Sequence, residues 1–324
     1  MKHFCLRACA LVLVCMGALP SASTAQAPVD VSLAMNAPGS GNWPVYIAFA
    51  QNFFRDEGLH VTPVLSGSNV ATINVLASSD GNVGLDGSDI EIAAIAHGLP
   101  LKIAAPEFGP NPYTVLTAAG ITSWAQLKGK AVALGSPQDV SALSFAKLAA
   151  QNHLDRSDFT IFMSASSSSR YDALISGNVQ ATVLSQPFDI LAEEHGFHRL
   201  DSGAATLKPW ADTSFAVNAK WAAANRAAVV HFVRALKKAV QFGYAHKAEA
   251  VAALVQATNI APSTAQKAYD LDFTQLHVFG INDRIDFKRD LLAMGESIRQ
   301  AGAITSVPAI EDILDPTYLG DASR

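Results

Sequence analysis

Short apolar runs alternate with tracts of helical spacing along most of the chain, and this alternation restricts the fold more than any other feature of the sequence. The first strand candidate covers residues 29–35, where every second residue is apolar, and a helical tract follows at 45–54. The alternation continues through strand candidates and helical tracts at 61–65, 70–77, 82–85, 90–97, 101–105 and 113–117. Strands that alternate with helices in this way predict an α/β sheet.

A second alternating unit begins near Ser123 and is followed by a helical tail. Its strand candidates and helical tracts lie at 131–134, 142–152, 159–163, 171–176 and 181–184. One further strand is predicted at 215–218, and residues 221–258 then have helical spacing without a new alternating unit. We therefore expect two units, at 26–115 and 116–206, with residues 207–324 returning to complete the first.

The first 25 residues have the pattern of a secretory signal peptide. Lys2 and Arg7 precede an apolar run at 8–19, which is too short to span a bilayer, and small residues follow it. We expect export to the periplasm, with cleavage near Ala25. No later segment of the sequence is apolar enough to predict a membrane span.

Composition argues against several functional classes. The three cysteines (Cys5, Cys9 and Cys15) all lie in the predicted signal peptide, so we expect neither disulfides nor thiol chemistry in the exported protein. The net charge of −5 and the scattered Lys and Arg residues provide no basic surface for nucleic acid. The remaining length of about 300 residues and a hydrophobic fraction of 50% suit two domains with cores of their own.

The sequence lacks the common motifs of catalysis and of cofactor or metal binding. The Gly-Ser-Gly segment at 39–41 follows a strand, but Pro44 stands where a dinucleotide-binding fingerprint has its third glycine. His195 and His198 are spaced closely enough to hold a metal, but they flank a glycine in a predicted solvent-exposed turn. No G-x-S-x-G, H-E-x-x-H or Walker motif occurs. We expect no catalysis, no cofactor and no metal.

Polar residues collect where the predicted strands lead into helices. Ser88 and Glu91 have the S-x-x-E spacing of a capping box, and Ser136 precedes a proline at a first helical position. Comparable turns contain Asn42, Ser66, Ser68, the serines at 166–169 and Gln186. Such turns lie at the carboxyl ends of the strands, where unpaired helix N–H groups can meet a ligand. They predict a polar binding cleft, and the alternative is that each residue only caps its own helix.

Four aromatic residues lie in or beside these turns or the predicted crossings between the two units: Trp43, Phe108, Phe188 and Trp210. Their rings could enclose a planar or apolar ligand body. Trp43 and Phe188 are the stronger candidates because each lies within a strand-to-helix turn. Ordinary core packing is the alternative for all four.

Charged residues near the same turns are mostly acidic. We expect Asp89 and Asp139 to interact with helix N-termini, whose dipoles favour negative charge. Glu107 is not explained in this way, and it is a candidate acceptor for a ligand donor. Asp212 lies near a further turn, and Arg170 is the only arginine close to one.

An ordered set of motifs runs through the chain. The motifs are GNWPVYIA at 41–48, FFRDEGLHV at 53–61, NVGLDG at 82–87, LKGKAVA at 127–133, GNVQA at 177–181 and QP at 186–187. In this order they resemble the sulfonate-, taurine-, nitrate- and thiamine-precursor-binding proteins of ABC importers (SsuA/THI5-like, NMT1-like). The resemblance extends over nearly the whole chain after the signal peptide.

The resemblance implies a two-lobed periplasmic-binding-protein fold of type II, in which each lobe is a mixed sheet flanked by helices. Two chain crossings, near 114–118 and 205–213, would form a hinge, and the lobes would close on a small-molecule solute. The resemblance further implies a monomer that delivers its solute to an ABC-transporter permease in the inner membrane.

The turns and the resemblance together give a set of candidate ligand-binding residues: Asn42, Trp43, Ser66, Ser68, Gly87, Ser88, Glu107, Phe108, Ser136, Gln186, Phe188 and Thr213. The chain departs from the family pattern at Gln180, where aspartate is usual, and at Ser185 and Gln186. The ligands of the relatives are therefore not transferred. A sulfonate, nitrate or carboxylate fits the helix N-termini, whereas a donor-rich, pyrimidine-like solute fits Glu107 and the scarcity of arginine.

Three other functions remain as alternatives. A solute-sensing input protein would contact a signalling receptor instead of a permease. A pyrimidine synthase-like enzyme of the thiamine pathway is disfavoured by the predicted export and by the absence of cysteine after Cys15. A structural secreted protein would bind no solute.

Overall fold

The computed structural model describes residues 27–78, 81–137, 139–281 and 286–324. The predicted signal peptide, its cleavage point near Ala25 and the three cysteines lie outside the described residues. In the part of the chain that is described, no helix combines the length and the apolar character needed to cross a bilayer.

Ten strands in the described ranges form two five-stranded sheets. The first sheet consists of β1 (Val29–Met35), β2 (Leu59–Leu65), β3 (Val83–Gly87), β4 (Leu101–Phe108) and β10 (Thr213–Asn218). The second consists of β5 (Thr114–Thr117), β6 (Ala131–Leu134), β7 (Thr160–Met163), β8 (Ala181–Leu184) and β9 (His198–Ser202). The parts of the molecule built on these sheets are the first lobe and the second lobe.

Helices follow most of the strands and form the tail of the chain. Those before β10 are α1 (Trp43–Ala50), α2 (Phe53–Asp56), α3 (Asn69–Ala77), α4 (Ser88–Ala96), α5 (Trp124–Leu127), α6 (Val140–Gln151), α7 (Ser167–Ile175), α8 (Phe188–Glu194) and α9 (Gly203–Thr206). Those after β10 are α10 (Ala219–Ala224), α11 (Arg226–Ala245), α12 (Lys247–Thr258), α13 (Pro262–Tyr269), α14 (Phe287–Gln300), α15 (Ile310–Ile313) and α16 (Thr317–Asp321). Short 3₁₀ turns occur at Ser40–Asn42 and Arg156–Asp158, and a π-helical turn at Asp270–Gln275.

Both sheets are mixed and share one pattern of strand order. The first sheet has the order β2-β1-β3-β10-β4, and the second has the order β7-β6-β8-β5-β9. Strand β10 is antiparallel to both of its neighbours, as is β5, whereas β1 and β6 pair with theirs in parallel. In each sheet the antiparallel strand is the one that the chain enters directly after leaving the other sheet. The predicted two-lobed α/β fold, with a mixed sheet in each lobe, is confirmed.

The two crossings between the sheets run side by side, at residues 109–113 and 203–212. The N–H of Gly203 donates to the carbonyl oxygen of Tyr113 (2.9 Å). A Cβ at Gly203 would lie 2.1 Å from Oδ1 of Asn111, so the close approach of the crossings requires glycine there. The division into units at 115 and 206 stays a prediction.

The helical tail covers the first sheet. Helix α11 packs on α1 and α2, where the rings of Phe54 and Phe232 stack with their centroids 5.1 Å apart. The second lobe has aromatic packing of its own around Phe145, whose ring centroid lies 5.4 Å from that of Trp124 and 5.0 Å from that of Phe159. Full burial of one such side chain contributes about 1.5–3 kcal/mol, so these clusters fix the helices against their sheets.

One strand was not expected from the sequence. Strand β9 covers part of the predicted exposed turn: α8 ends at Glu194, His195 follows as its C-cap, and His198 is the first residue of β9. Between them Gly196 has φ +84°, the left-handed region that favours glycine. All five residues of β9 are partly buried, as suits a strand at the edge of a sheet, and their sequence has no apolar alternation by which to recognise it.

The caps of two helices differ from the sequence expectation. The predicted capping box of α4 is wrong, because Ser88 and Glu91 both bond to the Ser214 hydroxyl instead of to the helix N-terminus. Ser136 does not cap α6. That helix begins at Val140 and is capped by Asp139, whose Oδ1 accepts from the N–H of Ala142 (2.9 Å). The expected role of Asp139 at a helix N-terminus is therefore observed.

Replacing Gly135 by alanine is expected to lower the free energy of unfolding by about 0.5–2 kcal/mol, the usual cost of losing an N-cap. The added Cβ would lie 1.5 Å from Oδ2 of Asp139 and would displace the capping carboxylate from α6. Gly120→Ala is the matched control, since its Cβ would meet no atom within 4 Å. Urea unfolding of both variants checks this, and equal stabilities would contradict it.

Candidate functional site

A cavity of about 150 Å³ lies between the two lobes, at the carboxyl ends of their parallel strands. The first lobe lines it with the turns after β1 and β3 and with the junction of β4 and β10. The second lobe lines it with the residues that begin α6, α7 and α8. Loops at this end of a parallel sheet are the usual place for ligands in α/β proteins, as the sequence predicted.

Half of the candidate residues line this cavity. They are Asn42, Gly87, Phe108, Gln186, Phe188 and Thr213. Phe108 is buried with its ring edge-on to that of Phe279, and Phe188 is partly exposed beside Tyr171. The structure therefore brings together, in one cavity, polar turns that lie up to 171 residues apart in the sequence, from Asn42 to Thr213.

Trp43 lies in the core of the first lobe and is 0% exposed. Its ring meets those of Tyr269 and Phe273 edge to face, with centroids 6.0 and 5.2 Å apart. Its Nε1 donates to the carbonyl oxygen of Ala250 (2.6 Å). The structure thus places Trp43 in the alternative role of core packing, and Asn42, its neighbour in sequence, at the cavity.

The remaining candidates lie beside the cavity lining. Ser68 caps α3 by accepting from the N–H of Ala71 (3.2 Å), and Ser66 bonds to the carbonyl oxygen of Met35 (3.1 Å). Ser88 is fully buried behind β3, and Ser136 is exposed before α6. Glu107 supports the cavity indirectly, since its Oε2 accepts from the hydroxyl of Thr213 (3.2 Å).

Several lining residues are not among those predicted from the sequence. Asn36 follows β1 directly, Asp86 is the second-last residue of β3, and Tyr113 ends the first crossing. Asn36 and Asp86 stand at strand ends, which is the signal that identified the other turns. Tyr113 has no such signal, because only the antiparallel entry of β5 into the second sheet brings it to the cavity.

Three carboxyl groups in or beside the cavity, of Asp86, Glu107 and Asp212, have raised pKa values. Burial is the main cause, and it raises the pKa of Asp212 to about 7, with the charge of Asp139 adding to the effect. Burial also raises the pKa of Asp86 well above its usual range, and the neighbouring Asp89 raises it further. The pKa of Glu107 is raised well above its usual range by burial and by Asp212.

Arg170 is the one cationic side chain that lines the described cavity. Its guanidinium is buried and donates to two carbonyl oxygens, of Val183 (2.8 Å) and Ser164 (3.1 Å), and to the hydroxyl of Ser167 (3.0 Å). These contacts hold it within the second lobe. No histidine, cysteine or lysine lines the described part of the cavity, and the described residues contain no cluster of metal-ligating side chains.

Comparison with solved structures shows the same fold in binding proteins. A ligand-binding component of an ABC-type import system from Staphylococcus aureus, with zinc bound, is 12% identical over 91% of this chain and 99% of its own, with a TM-score of 0.78. The nitrate-binding protein NrtA from Synechocystis is 14% identical over 91% and 88%, with a TM-score of 0.77. The alkanesulfonate-binding protein SsuA from Xanthomonas axonopodis pv. citri, bound to MOPS, is 17% identical over 87% and 96%, with a TM-score of 0.71.

The search of curated protein sequences gave no match. A family model described as NMT1/THI5 like matches residues 41–250. This match covers more than half of the chain and includes all of the residues that line the cavity except those at 36–40. The chain therefore belongs to the NMT1/THI5-like family.

Proposed function

We propose that this protein is the solute-binding component of an ABC importer. It captures a small molecule between its lobes in the periplasm and delivers it to a permease in the inner membrane, without catalysis. The observation that carries the proposal is the cavity itself. Both lobes line it, and the chain crosses between them twice. A solute held there contacts both lobes, and the two crossings can act as the hinge between the lobes.

Two polar contacts between the lobes beside the cavity are weak enough to break. The N–H and the hydroxyl of Ser40 both donate to the carbonyl oxygen of Gln186, at 3.4 and 3.1 Å. Lys267 and Glu194 form an ion pair (2.7 Å) between α13 and α8, and both side chains are about one-third exposed or more. Exposed ion pairs contribute about 0.2–1 kcal/mol, so a bound solute can decide whether the lobes are open or closed.

The residues that we propose to contact the solute are those that line the cavity. From the first lobe they include Asn42, Gly87, Phe108 and Thr213, and from the second lobe Gln186 and Phe188. We propose that Ser66, Ser68, Ser88, Glu107 and Ser136 act only by supporting this lining. We propose that the fold divides at residues 115 and 206, the first just after the first crossing, within β5, and the second within the second crossing.

Thermal unfolding of the protein against a panel of sulfonates, nitrate, carboxylates, pyrimidines, amines and amidines tests this function. A solute at 100 times its dissociation constant is expected to stabilise the protein by about 2.7 kcal/mol. We expect one chemical class to raise the melting temperature. If no class does so after bound ligand has been stripped from the protein, solute capture is contradicted.

The variant Gly41→Leu tests whether the solute binds in this cavity. Gly41 lines the cavity, and a Cβ there would meet no atom within 4 Å, so leucine fills the space without displacing backbone. The control is Gly120→Leu, which has equal room and lies exposed outside the cavity. We expect Gly41→Leu to remove the ligand-induced shift and Gly120→Leu to keep it. Retention of the shift in Gly41→Leu would place the solute elsewhere.

A further inference from the structure

The buried polar atoms of the cavity that lack a partner are hydrogen-bond acceptors. Oε1 of Gln186 and Oδ1 of Asn36 accept no hydrogen bond, and both residues line the cavity. Asp86 uses Oδ1 to accept from the N–H of Gly87 (2.8 Å), while its Oδ2 has no donor. The neighbouring Thr72 hydroxyl donates to the carbonyl oxygen of Ser68 instead (3.1 Å). Because buried acceptors are costly when unpaired, an occupant that supplies N–H groups is favoured.

Carboxyl groups converge on the cavity from both lobes. Asp86 and Asp212 lie on either side of the paired residues Gly87 and Thr213, where β3 and β10 meet. Asp139 faces them from the second lobe, close enough to raise the pKa of Asp212. If all three ionise in the empty protein they repel one another across the cleft, and the charge of Asp139 accordingly contributes to the raised pKa of Asp212. A cation between them would replace that repulsion by attraction and would favour the closed arrangement.

Some of the groups that would attract an anion are already engaged. One first-turn N–H group in each of α6 and α7 donates to the cap of its own helix, Ala142 to Asp139 (2.9 Å) and Ser169 to Ser166 (3.2 Å). Arg170 donates to carbonyl and hydroxyl oxygens of the second lobe. The cavity lining has three carboxyl groups, of Asp86, Asp139 and Asp212, against this one guanidinium, and each of the three accepts a hydrogen bond from the protein at Oδ1.

The cavity also offers apolar surface and limited space. Phe108 from the first lobe and Phe188 from the second both line it, so a planar or apolar body can pack between the lobes. The volume of about 150 Å³ is enough for a molecule with a single six-membered ring.

We propose that the solute of this cavity is a compact organic cation of the amidine or guanidine type, whose N–H groups donate to the carboxylates of Asp86, Asp139 and Asp212. This inference rests on the proposed function, because it names the solute class of the same cavity. Amidinium and guanidinium groups present parallel N–H donors that match carboxylate oxygens in pairs. They differ in charge from the sulfonate and nitrate named for the structurally similar proteins.

Three molecules of one shape test the charge of the solute. Benzamidine is a cation, benzamide is its neutral analogue and benzoate is its anionic analogue. We expect isothermal titration calorimetry at pH 8 to give a dissociation constant at least about tenfold lower for benzamidine than for benzamide, and no binding of benzoate. Asp86→Asn and Asp212→Asn should each weaken benzamidine binding about tenfold or more.

Two further variants control for damage to the fold. Asp139→Asn keeps a helix cap, because asparagine caps as well as aspartate does, and it should also weaken benzamidine binding while α6 remains folded. Asp172→Asn changes an exposed aspartate of α7 away from the cavity and should change nothing. Circular dichroism and the melting temperature report on folding in each case.

The outcomes separate this inference from the function that it rests on. Tighter binding of benzoate than of benzamidine overturns the cation class and supports solute capture. If none of the three binds while another member of the solute panel stabilises the protein, only the cation class fails. If no solute stabilises the protein at all, both proposals fail.

Discussion

Replacing Trp43 by alanine is expected to lower the free energy of unfolding by about 3–5 kcal/mol, the usual range for removing a buried aromatic side chain. The ring fills the space between α1, α12 and the aromatic residues Tyr269 and Phe273, and it is 0% exposed. The substitution would leave a cavity there and would remove the donor to the carbonyl oxygen of Ala250. Urea unfolding with an unchanged m-value would measure the loss directly.

Phe188→Ala is the contrasting variant, because Phe188 is only partly buried and lines the cavity between the lobes. We expect a much smaller loss of stability and a weaker ligand-induced shift in melting temperature. Under conditions in which Trp43→Ala is folded, it should bind the solute with the affinity of the wild-type protein. Loss of binding in Trp43→Ala without loss of stability would assign its ring to the ligand and contradict the core role.

Asp212→Asn is expected to stabilise the ligand-free protein in a pH-dependent way. Burial raises the pKa of Asp212 from 3.8 in a model compound to about 7 in the folded protein. The folded state therefore holds this proton more tightly than the unfolded state does. The stability of the wild-type protein consequently falls as the pH rises from about 4 to about 7, and ionisation of this carboxyl costs roughly 4 kcal/mol above that window.

Asparagine at position 212 cannot ionise, so the variant does not lose this stability as the pH rises. The variant and the wild-type protein should have similar stability below about pH 4, and the variant should be more stable by up to roughly 4 kcal/mol at pH 8. Asp172→Asn, at an exposed position, should follow the wild-type curve. Denaturation at a series of pH values measures all three proteins. A stability difference that does not grow with pH would show that Asp212 is not held in a raised-pKa environment.

The alternation of apolar runs and helical tracts was sufficient to predict the α/β architecture, because the side-chain periods of strands and helices differ and persist through each element. It was not sufficient for β9, whose five residues at the edge of the second sheet include His198, Arg199 and Asp201. Burial of that strand depends on its pairing with β5, which is about 80 residues earlier in the chain. No local sequence pattern can indicate a strand pairing with a partner so distant in the chain.

The sequence predicts those residues of the candidate site whose place at the cavity is set by their position along a strand. Gly87 and Gln186 reach the cavity because each stands at or just after the carboxyl end of a strand. Trp43 occupies a similar turn but is the first residue of α1, where it shares a helix face with Ile47, four residues later. That face is buried against α11 and α12, so the helical periodicity places the Trp43 side chain in the core. The i, i+4 spacing to an apolar residue was the signal available in the sequence.

If a solute is held between the two lobes and closes them, a distance measured across the cleft becomes shorter when the solute binds. Leu65 and Met163 end the edge strands β2 and β7 in opposite lobes, and they are 59% and 70% exposed. The sequence contains no cysteine after Cys15, so cysteines introduced at these two positions can be labelled selectively with spin labels. With the solute that raises the melting temperature, we expect the broad distance distribution of the free protein to become a single, shorter and narrower one. A distribution that this solute leaves unchanged would contradict closure of the lobes around it.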